Sequence, residues 1–127
     1  MYVATEQYVL AQDAIEESVQ ILEQTDSEAL LAEALTTKGL VESKLGNYAI
    51  AKSALQASCS VAERCGDNEG AGRALLVMFE EFGERLELAE RVQMAEKLKK
   101  LLAATQQPAL STRVEKCIAG VEVQHPE

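Results

Sequence analysis

The chain has 127 residues, with no Trp, two Phe and three Tyr beside abundant Ala, Leu, Glu and Gln; that is one domain's length, with a side-chain mixture that favours helix over sheet. Its net charge is −9, and no basic face of the kind that a free-standing grip on nucleic acid needs is visible in the sequence. No stretch approaches the roughly 20 apolar residues that span a bilayer and no charged-then-apolar leader opens the chain, while the odd count of three cysteines points to free thiols in a reducing cytoplasm.

The first predicted helix covers residues 5–24, with Tyr8, Ala11, Ala14, Ile15, Ser18, Val19 and Leu22 as its apolar stripe. Its acids Glu6, Asp13, Glu16, Glu17 and Glu23, with Asp26, Glu28 and Glu33 just beyond, all precede the first base, Lys38; downstream, acids and bases nearly balance. Such an acidic stretch reads as a solvated face, with a site for a basic partner as the alternative. Thr25-Asp26-Ser27-Glu28 has the spacing of a capping box. A second helix then carries Leu31, Leu35, Val41 and Leu45 to Gly46, a residue suited to the left-handed turn that closes a helix.

Asn47 is placed to cap a third helix over residues 48–64, and Gly66-Asp67 repeats the same stop and start. The fourth helix shows Ala71, Ala74, Leu75, Met78, Phe79 and Phe82 on one stripe and ends at Gly83. A fifth, over 86–103, holds Leu88, Val92, Ala95, Leu98 and Leu102; Gln106-Gln107-Pro108 precedes a short sixth over 109–121. The connections are short, which makes successive helices antiparallel. Glu81 with Arg85, Glu87 with Arg91 and Glu96 with Lys100 have the favourable i, i+4 order.

Displaced by 40 residues, the sequence overlays itself without a gap. Tyr48 falls on Tyr8, Ala51 on Ala11, Ala54 on Ala14, Ser58 on Ser18 and Glu63 on Glu23, while Ala74 and Leu75 fall on Ala34 and Leu35. A fainter third copy places Met94, Ala95, Leu101 and Leu102 on Ala54, Leu55, Val61 and Ala62. Repeated helical pairs bury their faces by stacking on neighbours.

Leu35, Gly39, Gly46, Tyr48, Ala51 and Leu55 resemble the pattern of a tetratricopeptide repeat, with Gly39 and Ala51 as the small residues that let two helices approach. The chain departs from that pattern in its 40-residue period, in Glu42 at a position that is often aromatic in the family, and in lacking a Pro to close the second helix; its longer second helices resemble those of the arrays in bacterial signalling and transcriptional regulators. The resemblance implies an all-α fold, a right-handed superhelix of antiparallel helical hairpins with about six helices. Residues 1–127 then form a single domain with a half unit at 5–26, units at 27–66 and 67–104, and a terminal helix at 108–122. The chain would open halfway through a repeat, which points to a piece cut from a longer array, or to a second chain covering the first helix.

Few residues offer chemistry. Cys59 and Cys65 lie six apart, about 120° from each other around a helix, and lack the spacing of a zinc site; with Cys117 they read as small buried hydrophobes. Glu122 and His125 form a lone Glu-x-x-His beside Pro126, without the second copy that a di-iron site needs. Gly70-Ala71-Gly72 follows a helix and is not a complete phosphate-binding loop, so it reads as close packing. Adjacent acids such as Glu80-Glu81 diverge by about 100° and cannot share a proton, and Glu90 and Glu96 dilute the basic run Arg91, Lys97, Lys99 and Lys100. No catalytic set, metal site or cofactor is expected.

In the family, the first helix of each pair lines a concave surface that receives a peptide or partner helix. Transferred to this chain, that surface comprises Glu33, Thr36, Thr37, Leu40, Ser43 and Lys44, and in the next unit Arg73, Val77 and Glu80. The expected role is therefore a non-catalytic scaffold for a protein or peptide partner within a larger regulatory protein. It would make no direct contact with nucleic acid or membrane. The competing expectation is a homodimer formed through the N-terminal helix.

Overall fold

The computed structural model describes residues 2–103 together with Thr112, Arg113, Glu115 and Lys116. Its elements are α1 (Tyr2–Glu23), α2 (Glu28–Lys44), α3 (Tyr48–Arg64), α4 (Asn68–Phe82), a 3-10 turn (Gly83–Arg85) and α5 (Leu88–Ala103). Among the described residues there is no strand, and the fold is all-helical. The sixth helix expected over 109–121 falls largely outside them, as do Cys117, Glu122 and His125; the four residues described there are helical.

Helix starts recur every twenty residues, at 28, 48, 68 and 88. The cause is a turn used twice. At the end of α2, Gly46 adopts φ 83°, its N–H donates to Ser43 O, and Asn47 N–H donates back to Glu42 O at 2.8 Å. At the end of α3, Gly66 adopts φ 76° while Gly66 and Asp67 donate to Glu63 O and Ala62 O in the same way. This double closure satisfies carbonyls that a helix end leaves free, and its positive φ suits a residue without Cβ.

Helix entry differs from the sequence expectation. Of the caps of α2, α3 and α4, that of α4 uses its side chain, Asp67 accepting from Gly70 N–H at 2.9 Å. Ser27 and Asn47 occupy cap positions without a side-chain cap bond. The capping box does not form, because Thr25 Oγ1 donates backwards to Leu22 O, and the Asn47 amide is diverted to Glu42, 2.8 Å away.

Ion pairs between helices show the helix directions. Arg64, at the end of α3, meets Glu28 at the start of α2, so these two run antiparallel. Lys44 meets Glu81 near the ends of α2 and α4, and Lys52 and Lys97 join α3 to α5 through Glu90 and Glu63, so each of those pairs runs parallel. α2 packs on α1, α3 and α4, and α4 on α3 and α5. Of the i, i+4 pairs expected on the surface, Glu81 with Arg85 gives way to Glu81 with Lys44; a pair that was not expected, Glu69 with Arg73, forms at 3.2 Å.

The core lies between α2, α3, α4 and α5. Ala51, Leu55, Ala62, Ala71, Ala74, Leu76 and Leu98 are fully enclosed there. Gly39 is the closest approach: a Cβ on it would overlap Leu55 Cγ and lie 2.6 Å from Leu55 Cδ2. The small residue expected at this crossing is therefore required by it. Gly72 faces Leu101 in the same manner, with more room. Phe82 closes the far end, its ring 5.8 Å from that of Tyr48, and Arg85 lies over the outer Tyr48 face at 4.1 Å.

α1 departs furthest from its predicted stripe. Only Val19 is buried; Tyr8, Ala11, Ile15 and Leu22 are half-buried, and Ala14 and Ser18 are exposed. It is held to α2 partly by polar contacts. Lys38 pairs with Glu16 at 2.9 Å, and Gln12 Nε2 donates to both carboxylate oxygens of Glu42 at 2.9 and 3.1 Å. Glu42 itself is buried, with the Asn47 amide as its other partner.

Candidate functional site

Because α2 and α4 run side by side, their N-terminal halves leave a cleft of about 360 Å³ between them. Glu33, Thr36 and Thr37 line one wall and Arg73 the other, so four residues expected on the partner face come together from two sequence units. Ala29, Leu30 and Ala32 complete the α2 wall, and Asp67 and Gly70 the α4 wall.

The cleft is chemically mixed. Thr36 Oγ1 donates to Ala32 O at 3.0 Å and lies 2.6 Å from Ser58 Oγ, which in turn donates to Ala32 O at 2.6 Å. Thr37 Oγ1 donates to Glu33 O, leaving its methyl and lone pairs at the surface. Arg73 is held by Glu69 at the rim, and half of its side chain stays exposed. Leu30 is exposed and apolar. Together these groups offer an apolar anchor, one cation, the Glu33 carboxylate beside that of Asp67, which already accepts from Gly70 N–H, and hydroxyl acceptors.

The other expected face residues are placed differently. Leu40 is exposed, beyond the cleft lining. Ser43 is buried and donates to Gly39 O at 2.7 Å, which leaves it nothing to offer a ligand. Lys44 is engaged by Glu81, whose hydrogen bond and charge raise the lysine pKa above its ordinary value. Val77 packs against the core. Glu80 is clamped by Arg113, with Nη2 and Nε 2.6 and 3.1 Å from its two oxygens. Sequence reasoning missed five lining residues: Ala29, Leu30 and Ala32 on α2, and Asp67 and Gly70 at the start of α4. For the last two, the signal was the Gly66-Asp67 turn itself, which brings a loop of the next unit beside α2.

A second cleft, about 560 Å³, lies beside α5 and is lined by Glu63, Val92, Gln93, Glu96, Lys97, Lys100 and Leu101. Beneath it, the Cys59 thiol donates to Glu63 Oε1 at 3.2 Å, and Lys97 binds the same oxygen at 2.6 Å. Burial, reinforced by the Glu63 bond, pushes Cys59 up to about 11, so its nucleophilic thiolate is scarcer than usual at neutral pH. Cys65 is exposed instead, contrary to the buried role expected of it. Alkylation of the native protein near neutral pH, mapped by mass spectrometry, is expected to mark Cys65 and to spare Cys59 until denaturant is added. Equal labelling of the two would contradict the enclosure of Cys59.

Among the described residues, no group of three or more His, Cys, Asp or Glu side chains is arranged to hold a metal, and no helix is long and apolar enough to cross a membrane. No family model, no curated protein and no solved structure matches the chain.

Proposed function

We propose that this chain is a non-catalytic protein–protein interaction module, a tetratricopeptide-like stack of helical hairpins in a larger bacterial regulatory protein. It receives a peptide or partner helix between α2 and α4. The observation that carries this reading is the convergence of Glu33, Thr36, Thr37 and Arg73 on one cleft from segments forty residues apart. The parallel pairing of α2 with α4 and of α3 with α5 supports a stack built by repetition, with α2 and α4 as the inner helices. A buried, protonated Cys59 is compatible with a cytoplasmic setting.

The test is cross-linking and affinity in the intact protein. A photo-reactive residue at Thr37 is expected to capture a partner, and Arg73→Ala to weaken that partner's binding at least about tenfold, or ~1.4 kcal/mol, while helicity is unchanged. Partner binding insensitive to Arg73→Ala would place the site elsewhere. A second reading, a homo-oligomerisation unit using α1, draws on the exposure of Leu10 and Ile21. Light scattering over a range of concentrations decides it, since a monomer throughout would remove it.

A further inference from the structure

The forty-residue repeat makes α1 the counterpart of α3, and the two are enclosed very differently. α3 is packed by α2 on one flank and α4 on the other, whereas α1 packs closely only against α2. The α1–α2 contact corresponds to that of α3 with α4, so the face by which α3 receives α2 has no equivalent cover on α1. Residue by residue the gap is plain. Ala54, Ser58 and Val61 of α3 are buried, while Ala14, Ser18 and Ile21, forty positions earlier, are exposed; Leu55, which meets Gly39 of α2, is fully buried and its counterpart Ile15 is half-buried. Ser58 bonds Ala32 O across the helix pair; Ser18 bonds only Ala14 O of its own helix. Ile21, at 57% exposure, completes the uncovered strip; Leu10, at 71%, borders it within about 20° of Ile21 on the helix, and its counterpart Ile50 is exposed on α3 as well.

The strip has a charged border. Glu6, Asp13 and Glu17 fall within about 60° of Leu10 on its other side, all three are exposed, and none meets a base among the described residues. α1 itself carries five acids and no base, of which Glu16 is paired with Lys38. A second α1 laid on this strip would set carboxylates against carboxylates, which disfavours a symmetric pair. A helix seated as α2 sits on α3, but bearing Lys or Arg along one flank, would cover the apolar strip and neutralise its border.

We propose that the Ala14–Ser18–Ile21 face of α1 is a docking site for a basic amphipathic helix from another protein, seated as α2 is seated on α3. The contact surface of that helix carries Ala or Gly where it crosses Ala14 and Ser18, and an aliphatic side chain against Ile21. This site is separate from the α2–α4 cleft, so either can fail without the other.

Two synthetic peptides of about 18 residues, five helical turns, test it by fluorescence anisotropy with the intact chain. Both have an Ala/Leu face; one carries Lys along its flank and the other Glu at the same positions. The Lys peptide is expected to bind, more weakly as salt is raised, and the Glu peptide not to. Ile21→Asp, at an exposed position that leaves helicity intact, weakens the Lys peptide at least about tenfold. Replacing Glu6, Asp13 and Glu17 together by Lys reverses the preference between the peptides. The proposal is overturned if neither peptide binds, if both bind alike, or if Ile21→Asp changes nothing. It is equally overturned if the unmodified chain self-associates and Ile21→Asp returns it to a monomer, since a second copy then occupies the face.

Discussion

Gly39→Ala is expected to lower the stability of the domain by about 1–3 kcal/mol, although Ala is the better helix former by roughly 1 kcal/mol. The new methyl group would overlap Leu55 Cγ and crowd both Leu55 methyls. Leu55 is fully enclosed among Ala51, Ala62 and the α4 core, so it has no empty volume to swing into. Gly39→Val enlarges the clash and should prevent the α2–α3 pair from closing. Leu55→Ala alone costs about 2–5 kcal/mol through the cavity it leaves. In that cavity Gly39→Ala becomes harmless or stabilising, so a double-mutant cycle in urea should report strong coupling between the two positions. If Gly39→Ala stabilised the parent protein, the approach of α2 to α3 would not be limited by this contact.

Phe82→Ala is expected to be as damaging, at about 3–5 kcal/mol. Phe82 is buried where α4 ends and packs in a tilted arrangement on Tyr48, the first residue of α3. Its removal takes away core area and also the surface that holds Tyr48 beneath Arg85. Phe82→Leu retains most of the volume and should cost much less, separating the packing contribution from the ring–ring geometry. Thermal unfolding followed by circular dichroism measures both variants. Equal losses for Ala and Leu would mean that the ring contact, rather than filled volume, dominates at this end of the core. Either primary change is large beside the roughly 5–15 kcal/mol by which domains are stable at all.

Helix boundaries were legible where backbone geometry depends on one residue type. Gly46 and Gly66 mark two ends because the left-handed turn there disfavours any side chain, and the predicted span of α3 agrees with the observed one. Polar side chains were less legible, since Thr25 and Asn47 each had a competing acceptor that local spacing does not reveal. The apolar stripe of α4 was read correctly yet incompletely: Leu76, off the stripe, is fully buried because α4 is enclosed on more than one side. α1 failed in the opposite sense. Its periodicity equals that of α3, but a pattern records which face can be buried, not whether a neighbour is there to bury it. Of the expected partner face, the residues nearest the starts of α2 and α4 converge on the cleft. Ser43, Lys44 and Glu80 lie toward helix ends, where internal hydrogen bonds and ion pairs claim them.

The burial of Glu42 bears on how α1 finds its place. A helix held by one buried valine and a few half-covered aliphatics could slide along α2 by a turn at little cost in apolar contact. Such a slip would bring Tyr8 or Glu16 opposite Glu42 in place of Gln12. Glu16 would press one carboxylate against another, and losing the Gln12 amide leaves a buried acceptor short of a donor, at about 1–3 kcal/mol. Glu42 thus acts as an index mark. It adds little to the strength of the contact, and sets the register in which α1 docks.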